Sequence, residues 1–214
     1  VTFTLIGHST MSKTIKTIEF RELEVGADGV FVVTIDPDPA NGRRNHLQST
    51  AEACYVFIRD SLTDWETQQV NLMVARRLDP TGAPPLGFDA LVERCVQCIR
   101  NDTPYYRDVL EMPYVNPVNT FPAPFNPLQF GGLVSQRGSS GHFLLADDEA
   151  IVVTVTTAGA EYLSLMVHDP WWRTIPFWHH TSSLSKSQAV ANADGTYTFV
   201  ICPTDPGVHN WIDT

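Results

Sequence analysis

GADGVFVVTIDPDP, residues 26–39, and NADGTYTFVICPTD, residues 192–205, lie over one another without a gap. Ala27, Asp28, Gly29, Ile35 and Pro37 fall on Ala193, Asp194, Gly195, Ile201 and Pro203, and aromatic Phe31 falls on Tyr197. Each stretch opens on Asp-Gly, a pair suited to a tight turn, and continues into β-branched and aromatic residues, so each reads as a turn feeding a strand. Outward from this pair the similarity continues: NHLQ (45–48) follows the first stretch and NWID (210–213) the second. Upstream, VTFTLIGHS (1–9) lies over EYLSLMVHD (161–169), which sets His8 against His168. His8 stands 20 positions before Asp28 and His168 stands 26 before Asp194, so DPWWRTIPFWHH (169–180) reads as a lengthened connection in one copy of a duplicated β-unit.

Strand-like runs extend this pattern. They are VTFTLIG, IEFRELEV, VFVVTID, CYVFIRDSL, NLMVARRL, HFLLA, AIVVTVT, YLSLMV and TYTFVIC, with hairpin turns expected at GADG, NADG and the acidic ADD beginning at Ala146. Residues 88–113 break the pattern. Leu91, Val92, Cys95, Cys98 and Ile99 follow one helical face, and Thr103-Pro104 suggests the cap of a second short helix stopped by Pro113. A proline-rich connector runs on to residue 132. The expected architecture is mainly β: a jelly-roll-like β-sandwich from two similar β-rich halves, 1–80 and 133–214, with a helical and proline-rich insertion over 81–132.

Composition narrows the function. With 24 acidic against 14 basic residues the formal charge is -10, which disfavours a nucleic-acid surface built on clustered Lys and Arg. No apolar run reaches the roughly 20 residues of a membrane span, and VTFTLIGHST lacks the basic and apolar regions of a signal peptide. Four cysteines are too few for a disulfide scaffold, and a cytoplasmic setting is slightly favoured. Cys95 and Cys98 share the apolar helical stripe and are expected to be buried as small hydrophobes; neither a redox nor a zinc role is expected. Walker, dinucleotide and nucleophile-elbow motifs are absent, so no cofactor is expected.

LADDEAIVVTV, the double tryptophan, HTSSLSKSQAVANADGTYTFV and above all DPGVHNWIDT resemble the bacterial family filed as domain of unknown function 1214. NHLQ and YVFIRDSLTDW are similar to the upstream region of its longer members. The resemblance implies a jelly-roll β-sandwich and brings no catalytic residues. It also implies a further strand past DPGVHNWIDT. Together with the absence of a counterpart to AIVVTVT before VTFTLIGHS, this makes the chain an expected fragment, one that pairs with other segments of the same protein or forms a homo-oligomer.

Binding is expected first around residues 169–180. Trp171, Trp172 and Trp178, between Pro170 and Pro176, either close one end of the sandwich as core or stand ready for a flat apolar or sugar-like ligand, with Arg173, His179 and His180 as polar tips. A second group comprises His46, Asp205, His209, Asn210 and Trp211, from corresponding places in the two copies. These residues either satisfy backbone groups in tight turns or form an acid/base cluster. The expected function is therefore a ligand-binding or assembly domain of a larger bacterial protein, any ligand being a small molecule. The alternative is an enzyme acting on a carbohydrate-like or other hydroxylated substrate through a His/Asp cluster.

Overall fold

A computed structural model describes residues 1–7, 13–79, 84–130 and 132–214, with all their side chains except those of Cys54 and Gln129. The fold is mainly β, with ten short strands and one α-helix among the described residues. Contacts divide the chain into two units: residues 1–61, 71–109 and 123–139 form the first, and 62–70, 110–122 and 140–214 the second.

In the first unit, β1 (Thr2–Gly7) lies between β2 (Lys13–Ile18) and β5 (Ala53–Arg59) in an antiparallel sheet, while β3 (Thr34–Asp36) and β4 (His46–Gln48) pair in parallel. Phe3, Leu5, Ile18 and Leu47 form its buried core. The second unit pairs β6 (Ile151–Val155) antiparallel with β9 (Tyr197–Ile201), adds β10 (Trp211–Ile212) in parallel to β9, and pairs β7 (Ser164–Met166) with β8 (Ser183–Ser185). Val167, Phe199, Ile201 and Ile212 are its core.

The two stretches that opened the sequence reading fold with the same hydrogen bonds. Gly26 N–H donates to the Val30 carbonyl at 2.8 Å and Gly29 N–H to the Gly26 carbonyl at 2.9 Å; Asn192 to Thr196 and Gly195 to Asn192 repeat both distances. The Asp28 carboxylate accepts from Val30 N–H, as Asp194 does from Thr196 N–H, each at 3.0 Å. Gly29 and Gly195 hold φ of 78° and 80°, where a side chain would be strained.

The correspondence runs further than the sequence suggested. Glu22 and Gln188 each accept, through the side chain, the N–H of the residue three positions earlier, Glu19 and Ser185. Thr34 N–H donates to the Asn45 carbonyl and Val200 N–H to the Asn210 carbonyl, leading into the parallel pairs β3–β4 and β9–β10. Upstream, strand register departs from the sequence alignment. Phe3 faces Ile18 and Leu165 faces Leu184, the residues before Glu19 and Ser185, so Phe3 matches Leu165 rather than Leu163. His8 lies outside the described residues.

Several expected strands are not formed. IEFRELEV turns at Glu19–Leu23, NLMVARRL and HFLLA stay unpaired as strands, and only the last three residues of VFVVTID enter the ladder. β2 comes instead from KTIKTI, a run rich in Thr and Ile that was not among the expected strands. The turn at Ala146 forms, with Glu149 N–H donating to the Ala146 carbonyl, but it joins no hairpin because β6 pairs with β9.

The two expected helices are one, α1 (Phe88–Glu111), which carries Pro104 in its interior. Thr103 is not a cap: its hydroxyl donates to the Ile99 carbonyl at 2.6 Å, a bond back along the helix. The buried stripe is corrected outright. No residue of α1 is buried, Leu91, Val92, Cys95 and Ile99 are exposed, and Cys98 is only half-buried. Amphipathic spacing marks a face able to be buried; it does not supply the element that would bury it. Both thiols of the native protein should therefore react with a thiol reagent at nearly the rate of the unfolded chain, whereas buried Cys202 stays slow. Mass-resolved labelling kinetics measure this directly.

Candidate functional site

The lengthened connection in the second unit is a tight turn organised by one carboxylate. One Asp169 carboxylate oxygen accepts from the N–H groups of Trp171 and Arg173, both at 2.9 Å, and the other accepts from the Arg173 guanidinium at 2.7 Å. Asp169 N–H donates to the Arg173 carbonyl at 3.1 Å and Trp172 N–H to the Asp169 carbonyl at 2.9 Å. His168 and Thr174 form a β-bridge behind the turn. These backbone bonds repeat those at Gly26–Val30 and Asn192–Thr196, and Trp172 stands where Gly29 and Gly195 stand in the other two turns. Its φ is +58°. A large aromatic residue in the left-handed region costs roughly 1–2 kcal/mol, a strain that glycine avoids.

Core packing does not compensate for that strain. Trp171 is 69% exposed, Trp172 41% and Trp178 67%, so the tryptophans do not close the end of a sandwich. The Trp172 ring lies parallel to the His168 imidazole, centroids 6.4 Å apart. Replacement tests the reading: Trp172→Gly should be more stable than Trp172→Ala by about 1 kcal/mol, and neither should approach the 3–5 kcal/mol of a core tryptophan, on the order found for aromatic truncations. Denaturant unfolding of the three proteins resolves this.

His168 also carries a pH signature. Partial desolvation holds its imidazole below the ordinary value, with neighbouring Asp169 opposing the shift. A folded-state pKa below the unfolded one means that the contribution is fully present above about pH 6.5 and is lost as pH falls towards the folded-state pKa. His168→Gln should therefore flatten the fall in melting temperature between about pH 7 and pH 5.

A second aromatic row lies in the same unit. Trp65 meets Phe177 at 6.4 Å, Phe177 meets Trp178 at 5.2 Å, and Trp178 meets His179 at 6.1 Å between ring centroids. Trp65, Phe177 and Trp178 are all exposed. The N–H groups of His179 and His180 both donate to the Pro176 carbonyl, which fixes the turn carrying Phe177 and Trp178. The adjacent histidines differ in surroundings. His179 is exposed, whereas His180 Nδ1 lies 2.6 Å from the Asp213 carboxylate. Asp213 N–H donates to the Thr181 carbonyl at 3.0 Å, and this backbone bond sets the two side chains together.

Apart from His209, the residues of the second expected group each bond within their own unit. His46 has a fully buried side chain whose Nδ1 lies 2.9 Å from the Thr34 hydroxyl and whose Nε2 lies 2.9 Å from the Asp38 carbonyl oxygen, so both ring nitrogens serve the first unit's own loop. Trp211 takes the matching place in the second unit, its indole N–H donating to the Cys202 carbonyl at 2.9 Å. Asp205 accepts from Gly207 N–H in a turn, and His209 is exposed beside it. Asn210, at φ +59°, clamps both backbone groups of Val190. Among the described residues no group of three or more His, Cys, Asp or Glu is placed to hold a metal ion. A shallow depression bordered by Asn119, Leu145, Glu149, Ala150, Ile151 and Val152 contains none of the candidate side chains.

Sequence reasoning passed over Trp65, Phe177, His168, Asp169 and Asp213. Asp169 and Phe177 lie inside the tryptophan-rich stretch and Asp213 inside DPGVHNWIDT, so proximity to those motifs was the available signal. Trp65 closes the motif YVFIRDSLTDW, but nothing local ties it to its partner Phe177, more than 100 positions away.

No family model and no curated protein matches this chain. Among solved structures it is similar to an uncharacterized protein from Burkholderia cenocepacia, with a TM-score of 0.83 at 20% identity. The similarity covers 100% of this chain and 61% of that one, so the chain spans about three fifths of that protein's length. A shared fold follows from this. Among the described residues no helix is long and apolar enough to cross a membrane.

Proposed function

We propose that the second unit is a ligand-binding surface for hydroxylated, carbohydrate-like molecules, and that the chain is a binding domain of a larger bacterial protein of the family filed as domain of unknown function 1214. The observation that carries the reading is Trp172, an exposed ring held at a backbone position that two turns with the same backbone hydrogen bonds give to glycine. Strain kept without burial points to a ring needed for contact. Exposed aromatic faces held by short turns suit the apolar face of a sugar ring, and Arg173 and His179 supply polar groups beside them. The family assignment rests on DPGVHNWIDT and its companion motifs. The shared turn, clamp and parallel-strand geometry supports an origin of the two segments by duplication, and the whole is read as a jelly-roll-like sandwich.

Titration of intrinsic tryptophan fluorescence with cellohexaose, maltohexaose, xylohexaose and chitohexaose tests this. At least one should give a saturable change that Trp172→Gly reduces at least tenfold in affinity while the fold is retained. Saturation unaffected by Trp172→Gly and Trp178→Ala, or no response to any of the four, overturns the proposal.

The His180–Asp213 pair supports a second reading, an enzyme on the same class of substrate. With Nδ1 turned to the Asp213 carboxylate, Nε2 is the ring nitrogen left to face a substrate, the arrangement of a general base. If the surface hydrolyses any of these oligosaccharides, His180→Asn should abolish hydrolysis and leave binding intact.

A further inference from the structure

Asn41-Gly42 is the single Asn-Gly pair among the nine asparagines of the chain. It forms the centre of an exposed turn between β3 and β4, closed by Arg43 N–H donating to the Ala40 carbonyl at 2.8 Å. Asn41 has a φ of 48° and Gly42 of 81°, the left-handed pair of a type I′ turn. No atom comes within 4 Å of the place that a Cβ would take on Gly42. Among the described residues neither the Asn41 side-chain amide nor the Gly42 N–H makes a hydrogen bond. An electrophilic amide and a backbone nitrogen therefore stand next to each other in solvent, and neither is held by a partner.

The other asparagines lack this combination. Asn45, Asn119 and Asn210 fix both ends of their amides on the backbone of Glu24, Leu144 and Val190. Asn71 donates through its amide to Asp60, and Asn192 to Thr196 and Thr198. Side chains of the residues that follow, Leu72 and Ala193, crowd the next nitrogen. Asn116 and Asn126 precede prolines, whose nitrogens carry no hydrogen to lose. Asn101 lies inside α1, where the helix engages successive N–H groups.

We propose that Asn41 is a site of spontaneous deamidation. The Gly42 nitrogen attacks the Asn41 side-chain carbonyl, and a new N–Cγ bond closes a five-membered succinimide. The Cγ–NH2 bond breaks, and ammonia leaves with the proton that Gly42 N–H gave up. Water then opens the ring, at Cγ to give aspartate or at the main-chain carbonyl to give isoaspartate. The net change is one water consumed and one ammonia released, with no oxidant, metal or partner needed. Reaching the ring geometry rotates Asn41 out of the left-handed region, against the bonds of Arg43 to the Ala40 carbonyl. The product changes the loop. Isoaspartate adds a methylene to the main chain inside the Ala40–Arg43 turn, and either product sets a carboxylate two residues from Arg43, whose guanidinium otherwise binds Asp36 and the carbonyls of Asp38 and Pro39.

Incubation of the 214-residue chain in mildly alkaline buffer, followed by peptide mapping, should show deamidation at Asn41 at least tenfold faster than at any other asparagine, with both aspartate and isoaspartate formed. Gly42→Ala, whose methyl group hinders the attacking nitrogen, should slow the conversion at least tenfold, and circular dichroism establishes that the variant keeps its fold. Alanine is strained at a φ of 81°, so Asn41→Gln serves as an independent variant. Glutamine must close a six-membered ring, and ammonia release from this variant should fall to the level of the remaining asparagines. Another asparagine converting first, aspartate as the sole product at position 41, ammonia release unaffected by Asn41→Gln, or a rate unchanged by Gly42→Ala would each overturn the proposal.

Discussion

Asn210→Ala should cost about 4 kcal/mol of unfolding free energy, at roughly 1 kcal/mol for each lost hydrogen bond and 1–2 kcal/mol for alanine in the left-handed region. The Asn210 amide oxygen accepts from Val190 N–H at 2.7 Å, and its NH2 donates to the carbonyls of Val190 at 2.8 Å and Thr198 at 2.9 Å. At φ +59° asparagine is among the few side chains tolerated, so alanine loses the bonds and adds strain. Asn210→Gly loses the bonds alone and should recover about 1 kcal/mol of the alanine loss. Asn45, at φ +48°, grips Glu24 through two bonds rather than three, and Asn45→Ala should cost less than Asn210→Ala. Chemical denaturation of the three variants beside the wild type gives the ranking. Equal losses at Asn210 for alanine and glycine would show that backbone strain contributes nothing there.

Phe199→Ala is expected to be comparably severe, at about 3–5 kcal/mol for truncating a buried phenylalanine to a cavity. Phe199 has no exposed surface, sits centrally in β9 opposite Val153, and packs in the core of the second unit with Val167, Ile201 and Ile212. Phe199→Leu keeps much of the volume and should lose less than half as much. The unfolding midpoint, read with a probe in the second unit, measures both.

These two sites show what kinds of structure can be read ahead of the fold. Asn210 and Asn45 were expected in tight turns after matched strands, and Phe199 in a strand, because the neighbouring residues alone carry those preferences. The local signals failed where an outcome depended on distant elements. KTIKTI is a strand because β1 pairs with it, whereas NLMVARRL, also expected as a strand, pairs with none among the described residues. The α1 stripe has sound helical spacing, yet none of its residues is buried. At the site, Trp171, Trp172 and Trp178 were legible as the notable residues, but not whether they were core or surface. The pairing of His180 with Asp213 depended on a backbone bond between segments over 30 positions apart.

Local sequence was enough for the turns at Asp28-Gly29 and Asp194-Gly195, the strand residues 197–201 after the second of them, and the likeness of residues 26–39 to 192–205. Those features come from sterics and hydrogen bonds spanning a few residues, such as Asp28 to Val30 and Asp194 to Thr196. Only the tertiary structure decided that His46 faces inward while the tryptophans of residues 169–180 face out, that β3–β4 and β9–β10 pair in parallel, and that Trp172 occupies a glycine's place. Burial and strand pairing are properties of surfaces brought together across long separations, and neither the period nor the composition of one segment encodes what will lie against it.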